Sequence, residues 1–154
     1  MRDVCFRKAD PGDIERMAEL DAVCFSAPWT KQAFEREIYE NSLARYLVCE
    51  TGGDFAGYAG LWVIVDEGHI TNVAVHPDFR RFGVGAALLA ALMDWTEKED
   101  LLRNFTLEAR VSNEIAICMY EKAGFVSCGL RKGYYADTAD TKEDALIMWR
   151  SCRA

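Results

Sequence analysis

The stretch Val73-Ala74-Val75-His76-Pro77-Asp78-Phe79-Arg80-Arg81-Phe82-Gly83-Val84-Gly85-Ala86 carries the clearest chemical pattern in the chain. A β-rich run ends, a short loop brings two arginines, two glycines follow, and a long apolar helical pattern begins. Glycine lets backbone N–H groups approach a ligand closely. A helix start presents unpaired N–H groups at a positive dipole end. Together they describe a seat for an anion, best suited to phosphate or pyrophosphate, with Arg80 and Arg81 adding local positive charge. The alternative is a tight strand-to-helix turn whose glycines serve packing alone. Two phosphate loops are excluded. No Gly-Lys-Ser/Thr is present, as a nucleotide-triphosphatase loop requires. Leu88 stands where a dinucleotide-binding loop would place its third glycine.

Three further residues could do chemistry. Phe105, Leu107 and Ala109 alternate with Thr106, Glu108 and Arg110, so Glu108 lies on the outward side of a strand. There it is either a group for proton transfer or a solvated carboxylate beside Arg110, worth little to stability. Asn113 and Tyr120 are two helical turns apart and project from one face, with Ala116 leaving room between them. Tyr120 equally suits a packed core tyrosine. With histidine only at 69 and 76, and no ligand spacing, no metal site is expected.

The elements that must position these residues read as β-α-α-β-β-β-α-β-α-β-β. Val4–Lys8 is a strand, and Asp10-Pro11-Gly12-Asp13 starts a helix with an N-cap and a proline in the first turn. Thr30 caps a second, short helix. Strands over 46–50, 55–65 and 69–75 are joined by short Gly/Asp turns, which means antiparallel hairpins. The helix opened by Gly83-Val84-Gly85 is apolar on most sides and should be buried. A strand over 105–111, a helix capped by Ser112-Asn113 and ended at Gly124, and strands over 125–130 and 145–149 complete the chain. The expected class is α/β (α+β): a mixed, mostly antiparallel central sheet with helices on both faces.

At 154 residues the chain suits one domain, residues 1–154. Apolar residues at 51% and charged residues at 28% indicate an ordinary globular protein. The formal charge of −7 argues against nucleic-acid backbone binding, which needs a basic face. The longest apolar run, Phe82 to Met93, is too short to span a bilayer. The first ten residues lack the apolar core of a signal peptide. The expected setting is therefore cytoplasmic, with no membrane partner. The six cysteines, at 5, 24, 49, 118, 128 and 152, contain no Cys-x-x-Cys and mostly lie in apolar stretches. They read as reduced core thiols.

Arg80-x-x-Gly83-x-Gly85, set between Asn72-Val73-Ala74-Val75 and a long apolar helix, resembles the pyrophosphate loop of the Gcn5-related N-acetyltransferase (GNAT) superfamily. The resemblance covers nearly the whole chain. Leu107-Glu108-Ala109-Arg110-Val111-Ser112-Asn113, followed by Ala116, Tyr120, Glu121 and Gly124-Phe125, looks like the RimI subgroup. So do Arg131-x-x-Tyr134-Tyr135, Glu143-Asp144-Ala145-x-Ile147-Met148 and Ala27-Pro28-Trp29, while His76, Phe82 and Ala136 depart from its pattern. That subgroup acetylates the N-terminal alanine of a small-subunit ribosomal protein.

The resemblance implies acetyl-CoA as co-substrate, with no metal. It implies that the backbones of Val73, Ala74 and Val75 pair with the pantetheine arm. Arg80, Arg81, Phe82, Gly83, Val84, Gly85 and Ala86 would form the pyrophosphate cradle, and Asn113 would contact the cofactor. Glu108 matches the general base and Tyr120 the general acid, acting in a ternary complex without a covalent enzyme intermediate. Tyr134, Tyr135 and the acidic loop Asp137–Asp144 are candidates for one substrate wall, which suits a basic peptide, and Trp29 for the other. Two other functions remain open at this point: acetylation of a lysine or small-molecule amine by the same fold, and a non-catalytic acyl-CoA-binding module.

Overall fold

The computed structural model describes residues 3–136 and 142–152. Its elements follow the expected order: β1 (Val4–Lys8), α1 (Ile14–Cys24), α2 (Lys31–Tyr39), β2 (Ala44–Thr51), β3 (Asp54–Ile64), β4 (Glu67–Val75), α3 (Val84–Glu99), β5 (Asn104–Arg110), α4 (Glu114–Lys122), β6 (Val126–Ala136) and β7 (Lys142–Ser151). Short 3-10 turns precede α1 and follow β4. The last two strands are longer than the apolar runs suggest, because their pairing with each other reaches Ala136 and Lys142. Cross-strand hydrogen bonds extend a hairpin past the residues whose side chains are buried.

The seven strands form one sheet in the order β1-β2-β3-β4-β5-β7-β6. Every neighbouring pair is antiparallel except β4 and β5. That parallel pairing covers only Glu67–His69 against Asn104–Thr106. On the other side of β4, Gly60 pairs with Asn72 and Leu61 with Ile70, so Thr71 is an extra residue. Such a bulge bends its strand and exchanges the faces to which side chains point. Beyond it β4 parts from β5.

One face of the sheet packs on α3 and α4, with Leu88, Leu89, Leu92, Phe105, Leu107 and Met148 at its centre. The other packs on α1 and α2 through Met17, Leu20, Phe34, Tyr46, Val48, Tyr58 and Ala74. The bulge explains why Ile70 belongs to the first cluster and Ala74, four residues on, to the second. The cysteine reading needs correction. Only Cys49 is buried, while Cys5, Cys118 and Cys128 are exposed and Cys24 and Cys152 are intermediate. An apolar neighbourhood in sequence does not fix which face of its element a residue takes.

Two buried carboxylates tie the helices of the second face to the sheet. Glu37 accepts hydrogen bonds from the Tyr46 hydroxyl at 2.7 Å, Trp62 Nε1 at 2.6 Å and Asn41 Nδ2 at 2.7 Å. Asp21 accepts from the Tyr58 hydroxyl and from the Trp29 backbone N–H at 2.7 Å.

A third carboxylate, Asp13, 1% exposed, anchors the start of α1. It accepts from Arg7 Nη1 and Nη2 at 2.8 and 2.7 Å and from the Asp10 N–H at 2.9 Å. Burial opposes its ionisation, but the Arg7 guanidinium and the Asp10 amide outweigh that and hold the carboxyl below its ordinary range. Arg7→Ala should therefore destabilise the protein by about 3 kcal/mol, because it leaves the buried carboxylate with the exposed Arg16, at 3.1 Å, as its remaining cation among the described residues. Since the native pKa is depressed, this contribution is present above about pH 4 and lost as pH falls through the native value. Urea unfolding of both proteins at pH 7 should show the gap, and at pH 3 it should have narrowed. A constant gap would contradict the assignment.

Candidate active site

The gap between β4 and β5 leaves backbone groups without a strand partner. The His76 N–H donates to Ala56 O at 2.8 Å. Alternation along an antiparallel pair then turns the backbone of Asn72 and Ala74 toward β3, and that of Val73 and Val75 into the gap. Of the three residues expected to pair with an extended ligand, Val73 turns its N–H and C=O into the gap and Val75 its N–H, while Val75 O is taken by Arg80 Nε at 3.1 Å and the Cys24 thiol at 3.5 Å. Ala74 instead pairs with Tyr58 and buries its methyl in the α1–α2 core.

Below the end of β4, residues 80–83 turn into α3. Gly83 sits at the N-cap with φ +75° and offers no side-chain cap, so the first amides of α3 stay open. An L side chain would be strained there. Gly85 is needed for space, since a Cβ would lie 3.1 Å from Met119 Sδ and 3.4 Å from Val75 Cγ2. One glycine is thus conformational and the other lets α3 pack against α4 and β4. Val84 is buried in the core, while Arg81, Phe82 and Ala86 are exposed. Arg80 folds back, its Nε donating to Val75 O at 3.1 Å and its Nη2 contacting Cys24 Sγ at 3.4 Å. That guanidinium fastens the loop to the strand end.

At the mouth of the gap, between the α1–α2 loop and α4, lies a pocket of about 480 Å³. Glu108, Asn113, Tyr120, Val73, Trp29 and Tyr135 all line it. They come from β5, the cap and body of α4, β4, the α1–α2 loop and β6. Glu108 is held by His69, whose Nε2 lies 2.7 Å from its Oε2. A carboxylate only accepts, so this nitrogen carries the proton. The His69 hydrogen bond, more than its charge or that of Arg131, holds the Glu108 carboxyl below its ordinary range against the effect of burial. Burial, with Tyr135 nearby, pushes the Tyr120 phenol up to about 12, and its ring stacks edge-on against Phe125 at 5.9 Å. Asn113 Oδ1 caps α4 by accepting the Ala116 N–H at 3.2 Å.

The expected substrate walls divide. Trp29 lines the pocket, and its ring packs 5.5 Å from Phe34. Tyr135 lines it too, under the Arg110 guanidinium at 4.4 Å. Tyr134 does not, lying exposed with Arg131 over its ring. Residues 137–141 of the acidic loop fall outside the described residues. Glu143 accepts the Ser112 N–H at 2.8 Å and Arg110 Nη1 at 3.3 Å, and Asp144 accepts the Gly133 N–H at 2.8 Å. Those two carboxylates brace β6, β7 and the approach to α4.

Sequence reasoning missed His69, Asp21, Thr71 and Asn72. His69 reaches Glu108 because the parallel register sets it beside Thr106, a long-range pairing with no local signal. Asp21 carries a weak one, an acidic residue on the apolar face of an amphipathic helix. The buried Oγ1 of Thr71 and Oδ1 of Asn72 have no hydrogen-bond partner, and both residues line the pocket.

The sheet is thus split, with the open helix start of α3 at one end of the gap and a carboxylate and a phenol at its mouth. Residues 14–125 match the model of the acetyltransferase (GNAT) family, and the chain belongs to that family. The [ribosomal protein bS18]-alanine N-acetyltransferase of Escherichia coli (strain K12) is 36% identical over 138 residues, 88% of this chain and 89% of that protein. A Bacillus subtilis (strain 168) protein whose name gives the same activity provisionally is 42% identical over 137 residues, 89% of this chain and 88% of that one. The crystal structure of the Escherichia coli ribosomal-protein-S18-alanine N-acetyltransferase superposes with a TM-score of 0.87 at 31% identity, covering 99% of this chain and 97% of that chain. The chain is thus similar to N-acetyltransferases over almost its full length. No described helix is long and apolar enough to cross a membrane.

Proposed function

We propose that the chain, as one catalytic domain over residues 1–154, transfers acetyl from acetyl-CoA to the N-terminal α-amine of a small-subunit ribosomal protein, an alanine in the bS18 manner, in the cytoplasm. The observation that carries the chemistry is Glu108, fixed by His69 in the pocket that also holds Tyr120. The similarity to enzymes named for bS18 supports the substrate.

The chain's groups fit the co-substrate. Val73 and the N–H of Val75 offer an edge to an extended pantetheine arm, and the open amides of residues 83–86 suit a diphosphate. Arg81 adds charge beside them, and Arg80 holds the loop in place. Asn113, its oxygen used as a cap, has its amide N–H groups left for a contact. Acetyl-CoA supplies the thioester carbonyl. Glu108 accepts the proton that the amine loses as the N–C bond forms, and Tyr120 hydrogen-bonds the departing thiolate as the C–S bond breaks. Trp29 and Tyr135 flank the peptide, and Tyr134 stands outside, available to a longer substrate. Attack is direct: the Cys24 thiol at the pocket wall is engaged with Val75 O and Arg80.

The test is thiol release with an alanine-initiated basic peptide, the same peptide N-blocked, a lysine peptide and a polyamine. Turnover on the first alone, with intersecting initial-velocity lines, is expected. Preference for the lysine peptide or polyamine would replace the substrate reading, and binding of acetyl-CoA without turnover on any amine would end the enzymatic one.

A further inference from the structure

The pocket wall opposite α4 has more acceptor capacity than the protein satisfies. Asp21, on the last turns of α1, lines the pocket yet is only 1% exposed. Its hydrogen-bond donors are the neutral Tyr58 hydroxyl and Trp29 N–H. No cation pairs with it among the described residues, in contrast to Asp13 on the same face of the molecule, which holds Arg7 and Arg16. Beside it Asn72, 8% exposed, keeps Oδ1 unpaired. A buried carboxylate without a counter-ion costs stability, and unpaired acceptors add to that cost. A ligand that is positively charged and carries several N–H groups would relieve both. A protonated primary amine is such a ligand.

We propose that Asp21 is the ammonium-recognising residue of this site, drawing the amine substrate in as a cation before Glu108 takes its proton. The proposal rests on the acetyltransferase reading above and names the form in which the substrate arrives. Asp21 is itself almost shut off from solvent at the pocket wall, and a charge in such surroundings is felt without direct contact. Burial, which raises the Asp21 carboxyl pKa against its two hydrogen bonds, is what a compensating cation would reverse. The other groups facing it do not supply that cation. Tyr46 and Tyr58 lie on the sheet, Glu37 on α2 and Cys24 on α1. Across the pocket stand Glu108, Tyr120 and Tyr135, with Arg110 engaged by Glu143 and the Tyr135 ring.

A nearby anion stabilises the ammonium form and so raises the amine pKa in the bound complex. Asp21→Asn should raise the peptide KM about tenfold, the size of one pKa unit. It should also move the acidic limb of the kcat–pH profile to lower pH, while the KM for acetyl-CoA stays within about twofold. Asp21→Glu should restore the limb in part. An unmoved limb, or both KM values rising together with a lowered Tm, would overturn the proposal. Should Asp21→Asn not fold, the wild-type enzyme decides. A desamino peptide of the same sequence should inhibit with at least about tenfold weaker affinity than the amine peptide binds; equal affinity would overturn the assignment. Failure of wild-type enzyme to acetylate any α-amine peptide would instead overturn the substrate reading, and this one with it.

Discussion

Glu108→Gln is expected to lower kcat about 10²- to 10⁴-fold, the usual worth of a positioned proton acceptor, with little change in the KM for acetyl-CoA. Glutamine keeps an oxygen for His69 Nε2, so the β4–β5 contact at 2.7 Å can persist and the fold should hold. What is lost is the capacity to accept a proton from the amine. The lowered pKa of Glu108 sets the sign of the pH dependence. The carboxylate is charged throughout the neutral range, so protonation of Glu108 does not shape the limb near pH 8. That limb belongs to the substrate amine, whose ordinary pKa is about 7.7–8.0. Thiol release measured from pH 6 to 9 should show the wild-type rate rising with the amine's deprotonation and the variant low across the range. A loss of less than tenfold, or a parallel rise in the acetyl-CoA KM, would remove Glu108 from the chemistry.

Tyr120→Phe should lower kcat about 10²-fold, the typical effect of deleting one hydrogen-bond donor to a developing anion. A phenol near 12 stays protonated at any working pH. It is a poor acid toward a thiolate, whose conjugate thiol has an ordinary pKa of about 8.5. In the proposed reaction Tyr120 serves as a hydrogen-bond donor more than as a full proton donor, and the wild-type profile should show no alkaline fall traceable to it. Phenylalanine preserves the edge-on contact with Phe125, so thermal unfolding should change little. Unfolding of the variant with turnover per folded molecule intact would return Tyr120 to the core and leave the leaving group without its donor.

Much of this is legible in the chain because it is written locally. Strand and helix order follows from period-two and period-3.6 runs, and the caps at Asp10, Thr30 and Asn113 all form the hydrogen bonds their residue types allow. The two glycines of the loop are visible, though not that Gly83 serves a positive φ and Gly85 a close approach to Met119. Asn113 and Tyr120 are expected on one helix face, and both line the pocket. The hydrogen-bond phase of the expected ligand-pairing stretch of β4 is not legible, since the facing of Val73, Ala74 and Val75 depends on the bulge at Thr71.

The sequence by itself determined the order of elements, the glycine-started helix, and the placing of Asn113 and Tyr120 on one helix face. Only the tertiary structure decided that His69 grips Glu108, that Arg80 turns back to Val75, and that buried Asp21 meets the Trp29 N–H at the same pocket. Each of those depends on strand register or helix docking across 39, 5 and 8 positions respectively. Hydrophobic periodicity says which face of an element is covered. It carries no information about which polar group on another element will meet it once the sheet splits.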